Sequence, residues 1–289
     1  MSAGGEARVQ ALDEVLDQAE ARTASSDQGL LANLAATVTG APREAEMAAL
    51  PGELFAVVDA LDSSVTLRRA LTDPSTPEEG RRRLVHTLLD GRVGKVCVHV
   101  VEEAVGLRWG GGRALADALE RQGVRAQLVV AERAGNLDET EDELFRFARL
   151  VESTPAVRDA LSDRAVTLEG RRSLVQDLLR GRASDTTAVL AQRAVAARER
   201  TFAHTIEGFV ELAAAQKNRV LATVRVARPL TADQRSRLQS SLSRQVGREV
   251  LLQEVVDTDV LGGIRVELGD EVIEGTVAGR LEQARRLFG

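Results

Sequence analysis

The chain has 289 residues, 44% of them hydrophobic, with 38 basic against 44 acidic side chains for a net charge of −6. That length exceeds the usual single domain and can build two or three cores, while the acidic balance and 2% aromatic content argue against a general nucleic-acid binder or a base-stacking platform. One cysteine, Cys97, excludes an internal disulfide and fits a reducing compartment; with no signal-peptide pattern and no apolar run near about 18 residues, a soluble cytoplasmic protein is expected, reaching any membrane through a partner.

In chain order, Leu54–Leu61 is the first apolar stretch of helix formers without breakers. A short helix ends near Leu71, ahead of Asp73-Pro74. Leu84, Val85, Leu88 and Leu89 then make an amphipathic stripe, closed by Gly91 as a C-cap. Val93–Leu107 and Arg113–Glu120 read as further helices. The same order then repeats 90 residues on. Leu144–Val151 is followed by a short helix opened by Pro155, a stripe of Leu174, Val175, Leu178 and Leu179 closed by Gly181, and helices over Thr186–Ala197 and Thr201–Ala215. Between Glu53–Val93 and Glu143–Ala183, 18 of 41 positions are identical without a gap. Helices alike in composition do not hold one register that long by chance, so the pattern is a duplicated domain in two copies. Each copy is expected to be a helical bundle.

The period changes at Arg219–Val226, where Val220, Ala222, Val224 and Val226 alternate as in a strand ended by Pro229. Thr231 and Gln234 form a capping box for a helix through Leu238, Leu242 and Val246, stopped by Gly247. Val250–Val256 is the next strand. Then come Val256-Asp257, Leu261-Gly262-Gly263 and a strand with Ile264, Val266 and Leu268 facing one way. Gly269-Asp270 turns the chain into a short strand at Val272-Ile273, a hairpin. After Thr276, Val277, Leu281, Ala284 and Leu287 recur at helical spacing. Gly262 and Gly263 fit a place that needs positive φ or a close backbone approach, and carry no chemistry of their own. The fold class expected is mainly α: two duplicated helical-bundle domains, residues 1–110 and 111–216, followed by a small α+β domain at residues 217–289.

Catalytic constellations are missing. Gly91–Val96 has the wrong spacing for a phosphate loop, and there is no HExxH, no CxxC pair and no GxSxG elbow. His86, His99 and His204 lie in separate helices and read as surface or core-edge residues rather than metal ligands. Cys97, between Val96 and Val98, reads as a small packing residue. Arg81-Arg82-Arg83 reads as a solvated helix face beside Glu78 and Glu79, and Trp109 as a core anchor before the Gly110–Gly112 joint. No catalytic residue, cofactor or metal is expected. Function has to come from surfaces.

The ordered block from Val256-Asp257 through Leu261-Gly262-Gly263, Gly269-Asp270 and Glu274-Gly275-Thr276 to Leu281 resembles the C-terminal signature of the delta subunit of F-type ATP synthases. The mitochondrial counterpart of that subunit is the oligomycin-sensitivity-conferring protein. Glu274 and Thr276 are mild departures, since the family more often has Asp and Ser there. The resemblance covers about Ala114–Gly289, and the extra first copy is similar to the extended actinobacterial form. It implies a non-catalytic peripheral-stalk subunit on the cytoplasmic face of the plasma membrane, with no direct insertion and no nucleic-acid partner. In the family the helical domain grips the N-terminal segment of a catalytic-head alpha subunit, and the C-terminal domain holds the membrane-anchored b subunits. The resemblance places the matching groove between the first and fifth helices of the second copy, about Leu115–Ala134 and Ser184–Arg198, with Leu128 and Leu190 as its apolar lining and Leu281 and Leu287 toward b. A free-standing helical adaptor or regulator is the alternative, and an enzyme of unrecognised type a third reading.

Overall fold

The computed structural model describes residues 3–24, 33–163, 165–196, 201–257, 263–268 and 271–274. Among them the chain forms twelve helices and four strands, mainly α with a small C-terminal sheet. The chain divides into two compact units, Met1–Leu16 with Pro42–Lys217 and Asp17–Ala41 with Asn218–Gly289.

In the first unit the repeat is visible element by element. The end of α2 (Asn33–Ser63), α3 (Val65–Thr72), α4 (Glu78–Leu89) and α5 (Lys95–Gly106) have their counterparts 90 residues later. Those are α7 (Leu137–Ser153), α8 (Pro155–Ser162), α9 (Leu168–Leu179) and α10 (Asp185–Ala194). Local chemistry starts and stops these helices as the sequence predicts. Pro155 sits in the first turn of α8, where a missing N–H costs nothing. Gly91 and Gly181, just past α4 and α9, have φ of 71° and 69°, the left-handed region that a Cβ disfavours. Ser184 caps α10 by accepting from the Thr187 N–H.

The helix α6 (Gly112–Arg133) serves both copies. It packs on α3 and α5, as α11 (Phe202–Lys217) packs on α8 and α10, and it also packs on α7, α10 and α11. A helix used on two sides must be apolar or paired all round. Leu115, Ala116, Leu119, Val124, Ala126, Leu128, Val129 and Ala131 are all buried, and so are the polar Gln122 and Arg125. The polar pair is satisfied by α1 (Ala3–Ala24), whose Asp13 accepts from Gln122 at 2.7 Å and lies 3.1 Å from Arg125 and 2.9 Å from Arg121. Burial pushes the Asp13 carboxyl up, but the two guanidiniums and the Gln122 amide outweigh it and hold it low. The core around α6 joins Leu137, Leu144, Phe147 and Val151 of α7 to Val175, Leu190, Phe202, Ile206 and Phe209.

The second unit holds a four-stranded sheet of order β2-β1-β3-β4, built from β1 (Arg219–Val226), β2 (Glu249–Val256), β3 (Ile264–Leu268) and β4 (Glu271–Glu274). β1 runs parallel to β2 and antiparallel to β3, and β3 forms the expected hairpin with β4. The parallel pair needs a crossover, which α12 (Ala232–Val246) supplies. Its Thr231–Gln234 capping box is formed, and Gly247 closes it at φ 72°. Leu242 of α12 packs on Ala222, Val224, Val226, Val250, Leu252 and Val266. At the start of β1, the nearly inaccessible Arg219 side chain is held between Asp17 and Glu20 of α1, the latter at 3.2 Å.

Two expectations change. Arg81 does not lie on a solvated face: it is buried and donates from Nε to the Val105 carbonyl at 2.8 Å, tying α4 to the end of α5. Its counterpart Arg171 donates to the Leu161 carbonyl at 3.2 Å. Trp109 is half-buried rather than a core anchor, with its Nε1 donating to the Ala104 carbonyl at 2.7 Å.

Candidate partner-binding surfaces

Leu128 and Leu190 are completely buried, members of one core cluster, and neither offers a surface to a partner. Apolar residues that line a groove and those that fill a core share the same helical spacing, which is why the sequence does not separate them. The face of α6 and α10 above them is covered from within the chain. Phe55 of α2 lies against Gly123, where an added Cβ would meet its Cε1 at 2.6 Å. The Arg193 guanidinium of α10 sits 4.9 Å from the centroid of the same ring. A nearly inaccessible arginine needs carboxylate partners. Arg193 has two, Asp59 of α2 at 2.6 Å and Glu120 of α6 at 2.9 Å. Three helices from the two copies thus meet at one aromatic, one glycine and one ion-paired arginine.

A second joint repeats in both copies and explains the repeated Glu-Leu-Phe triplet. Glu53 accepts from the Gly94 N–H at 2.9 Å, at the start of α5. Glu143 accepts from the Ser184 N–H and hydroxyl, each at 2.9 Å, and from the Thr187 hydroxyl at 2.6 Å, at the start of α10. A carboxylate at a helix N-terminus meets unpaired N–H groups and the positive end of the helix dipole. Burial raises the Glu143 carboxyl, and the hydrogen bonds from Thr187 and Ser184 more than reverse this, leaving it below its ordinary range. Sequence spacing did not mark either glutamate as a cap, because each lies 41 residues from the helix it holds.

In the second unit, Asp257 extends the ladder past β2 by donating its N–H to the Val226 carbonyl at 2.8 Å, with its carboxylate 3.9 Å from Arg225. Gly263 has φ 89°, the positive value its place before β3 predicts. Gly262, Gly269, Asp270, Leu281 and Leu287 lie outside the described residues.

Among the described residues, no group of three or more His, Cys, Asp or Glu is arranged to hold a metal. No helix among them is long and apolar enough to cross a membrane. Cys97 is buried, and burial, with the nearby Glu53 charge, pushes its thiol up to about 12, which makes it unreactive. The exposed apolar side chains of the first unit include Val65, Phe145, Leu150, Val166 and Val189.

The family model for the ATP synthase delta (OSCP) subunit matches residues 122–288. Among similar proteins, the ATP synthase subunit delta of Kineococcus radiotolerans is 44% identical over 269 residues, 93% of this chain and 95% of that protein. The subunit delta of a Nocardioides species is 45% identical over 241 residues, 83% of this chain and 87% of that protein. The subunit delta of Streptomyces avermitilis is 44% identical over 238 residues, covering 82% and 87%.

Proposed function

We propose, from the premise that this chain belongs to the ATP synthase delta (OSCP) subunit family, that it is the peripheral-stalk subunit of a proton-translocating F-type ATP synthase. It clamps the catalytic head to the membrane-anchored b subunits on the cytoplasmic face of the plasma membrane and catalyses nothing itself. The observation that carries this is the family match, which spans the second helical copy and the α+β unit together.

The task is mechanical. Rotor torque acts on the head during each turnover, and a stator that let go would dissipate the work as head rotation. A clamp therefore needs slow dissociation, which comes from buried apolar anchors and well-packed helices rather than from surface charge. Helix-in-groove docking supplies such anchors. The helical unit would take the N-terminal segment of an alpha subunit. Leu128 and Leu190 would serve the core of that unit rather than touch the segment. The α+β unit, with the C-terminal segment that carries Leu281 and Leu287, would seat the b subunits.

The test is to purify the full chain and measure its capture of catalytic heads and of b subunits, each separately, with ATP turnover by the chain alone as a control. Capture of both without turnover is the expected result. Failure to bind either partner, or nucleotide turnover abolished by a point change within this chain, overturns it.

A further inference from the structure

The internal repeat lets each helix pair be compared with its own counterpart 90 residues on. Across α4 and α5, His86 Nε2 lies 2.5 Å from Glu102 Oε1, and Arg82 joins Glu78 at 2.9 Å to Glu103 at 2.6 Å. The hydrogen bond from Arg82 above all, and more weakly the charge on His99, hold the Glu103 carboxyl below its ordinary range despite partial burial. In α9 and α10 the places of His86 and Glu102 are held by Gln176 and Gln192, and that of His99 by Val189. The first copy thus has an interhelical contact that changes charge with pH, where the second has two amides that do not.

The start of α5 is also less firmly held than that of α10. Gly94 precedes α5 and offers no side-chain cap, whereas Ser184 accepts from the Thr187 N–H. Glu53 takes one hydrogen bond there against the three of Glu143, because Gly94 and Cys97 stand where Ser184 and Thr187 supply hydroxyls. A helix whose start lacks those bonds opens locally at lower cost.

We propose that the α4–α5 pair of the first copy is a pH-dependent latch: the protonated His86 ring ties α4 to Glu102 of α5, and as pH rises and the ring loses its charge, α5 opens more often. An imidazole changes charge between about pH 5 and 8. With His86 and His99 protonated, they and Arg82 balance the carboxylates of Glu78, Glu102 and Glu103; with both rings neutral, Arg82 faces all three alone. Arg83 and Asp90 lie within about a turn of His86 on α4. The helix α3, which also packs on α4, carries Arg68, engaged by the Leu61 and Asp62 carbonyls, and the exposed Arg69. The His86 side chain is 57% exposed, which limits the tie to the few-fold effect of a partly solvated ion pair. The latch lies before residue 122, outside the part of the chain that the family model covers, and does not depend on the stalk function.

Amide hydrogen exchange of the full-length chain is followed from about pH 5.5 to 8, with intrinsic rates divided out. Protection of the α5 amides is expected to fall about two- to fivefold over that range, while that of α10 stays level. His86→Gln, which installs the residue of the second copy, should remove most of the fall, and His86→Gln with His99→Val all of it. Both positions are exposed, so the variants should fold. Gly94→Ser should raise α5 protection at every pH and leave the fall in place; no gain there overturns the weak start as the place of opening. Constant protection of α5, an equal fall in α10, or a fall that persists in the double variant overturns the latch. A fall kept by His86→Gln and lost only with His99→Val moves the sensor to His99 and overturns the role given to His86 and Glu102.

Discussion

At the scale of single residues, the two helix-capping glutamates do the same job with unequal means. Glu143 takes three hydrogen bonds at the start of α10, and Glu53 takes one at the start of α5, with its Oε2 buried and without a hydrogen-bond partner. Glu143→Ala is therefore expected to cost more stability than Glu53→Ala, about 1–3 kcal/mol for the former, read from denaturant midpoints at constant slope. The pH dependence has a definite sign. The folded-state carboxyl of Glu143 lies below its ordinary value of 4.5, so its contribution is present above that value and is lost as pH falls through the folded-state value. Glu143→Gln should make the acid limb of the stability curve shallower, and an unchanged acid limb would count against the cap. At the copy–copy joint, Gly123→Ala should destabilise by about 1–3 kcal/mol, because the methyl has no room beside Phe55. A double-mutant cycle with Phe55→Leu checks it: the two costs should not add. Neither joint was legible as such. The sequence shows that Glu-Leu-Phe recurs, but the residues that complete each joint are 41 to 138 positions away, and long-range pairing leaves no local signature.

At the scale of elements, periodicity carried most of the fold. The β1, β3 and α12 boundaries, the Thr231–Gln234 box and the glycine stops follow from local chemistry, and they stand where that chemistry puts them. What periodicity could not express is α6. Its apolar residues occupy every face, so it shows no stripe: periodicity marks only Arg113–Glu120, and it is the family resemblance that extends the helix over Leu115–Ala134, close to the observed Gly112–Arg133. A helix enclosed by both copies should be the slowest to open. Amide hydrogen exchange is expected to be slowest along Leu115–Val129, slower than in α4 or α9. Exchange there at the rate of either copy alone would mean that the copies open independently. The same burial decides the fate of Leu190→Glu. A charge at a fully buried position of a shared core should unfold the unit rather than merely weaken a surface contact. Loss of helical circular dichroism at ordinary temperature is the readout, and a folded variant with weakened head binding would instead return Leu190 to a groove.

At the scale of the whole molecule, the proposed division of labour can be cut with one deletion. A chain ended at Asp257 loses β3 and β4, so β1 loses its antiparallel partner and Val224 and Val226 lose Val266 and Ile264 from their core. What is left of the sheet is a single parallel pair under one helix, too little apolar area to hold itself. The first unit is a different matter. Its core of α6, α7, α10 and α11 is built from residues between Phe55 and Ala213, none of which the deletion removes. Circular dichroism of the truncated chain should therefore show lost sheet and retained helix, with a melting transition for the helical unit. Binding follows the same line. If the α+β unit seats the b subunits, the truncated chain should fail to capture b while still capturing the head. Retained capture of b would move the membrane-side contact onto the helices, and loss of head binding with the helices folded would place part of the head contact beyond Asp257. Loss of b capture with head capture intact is what a two-ended clamp requires of this deletion, and a single-ended adaptor gives no reason to expect it.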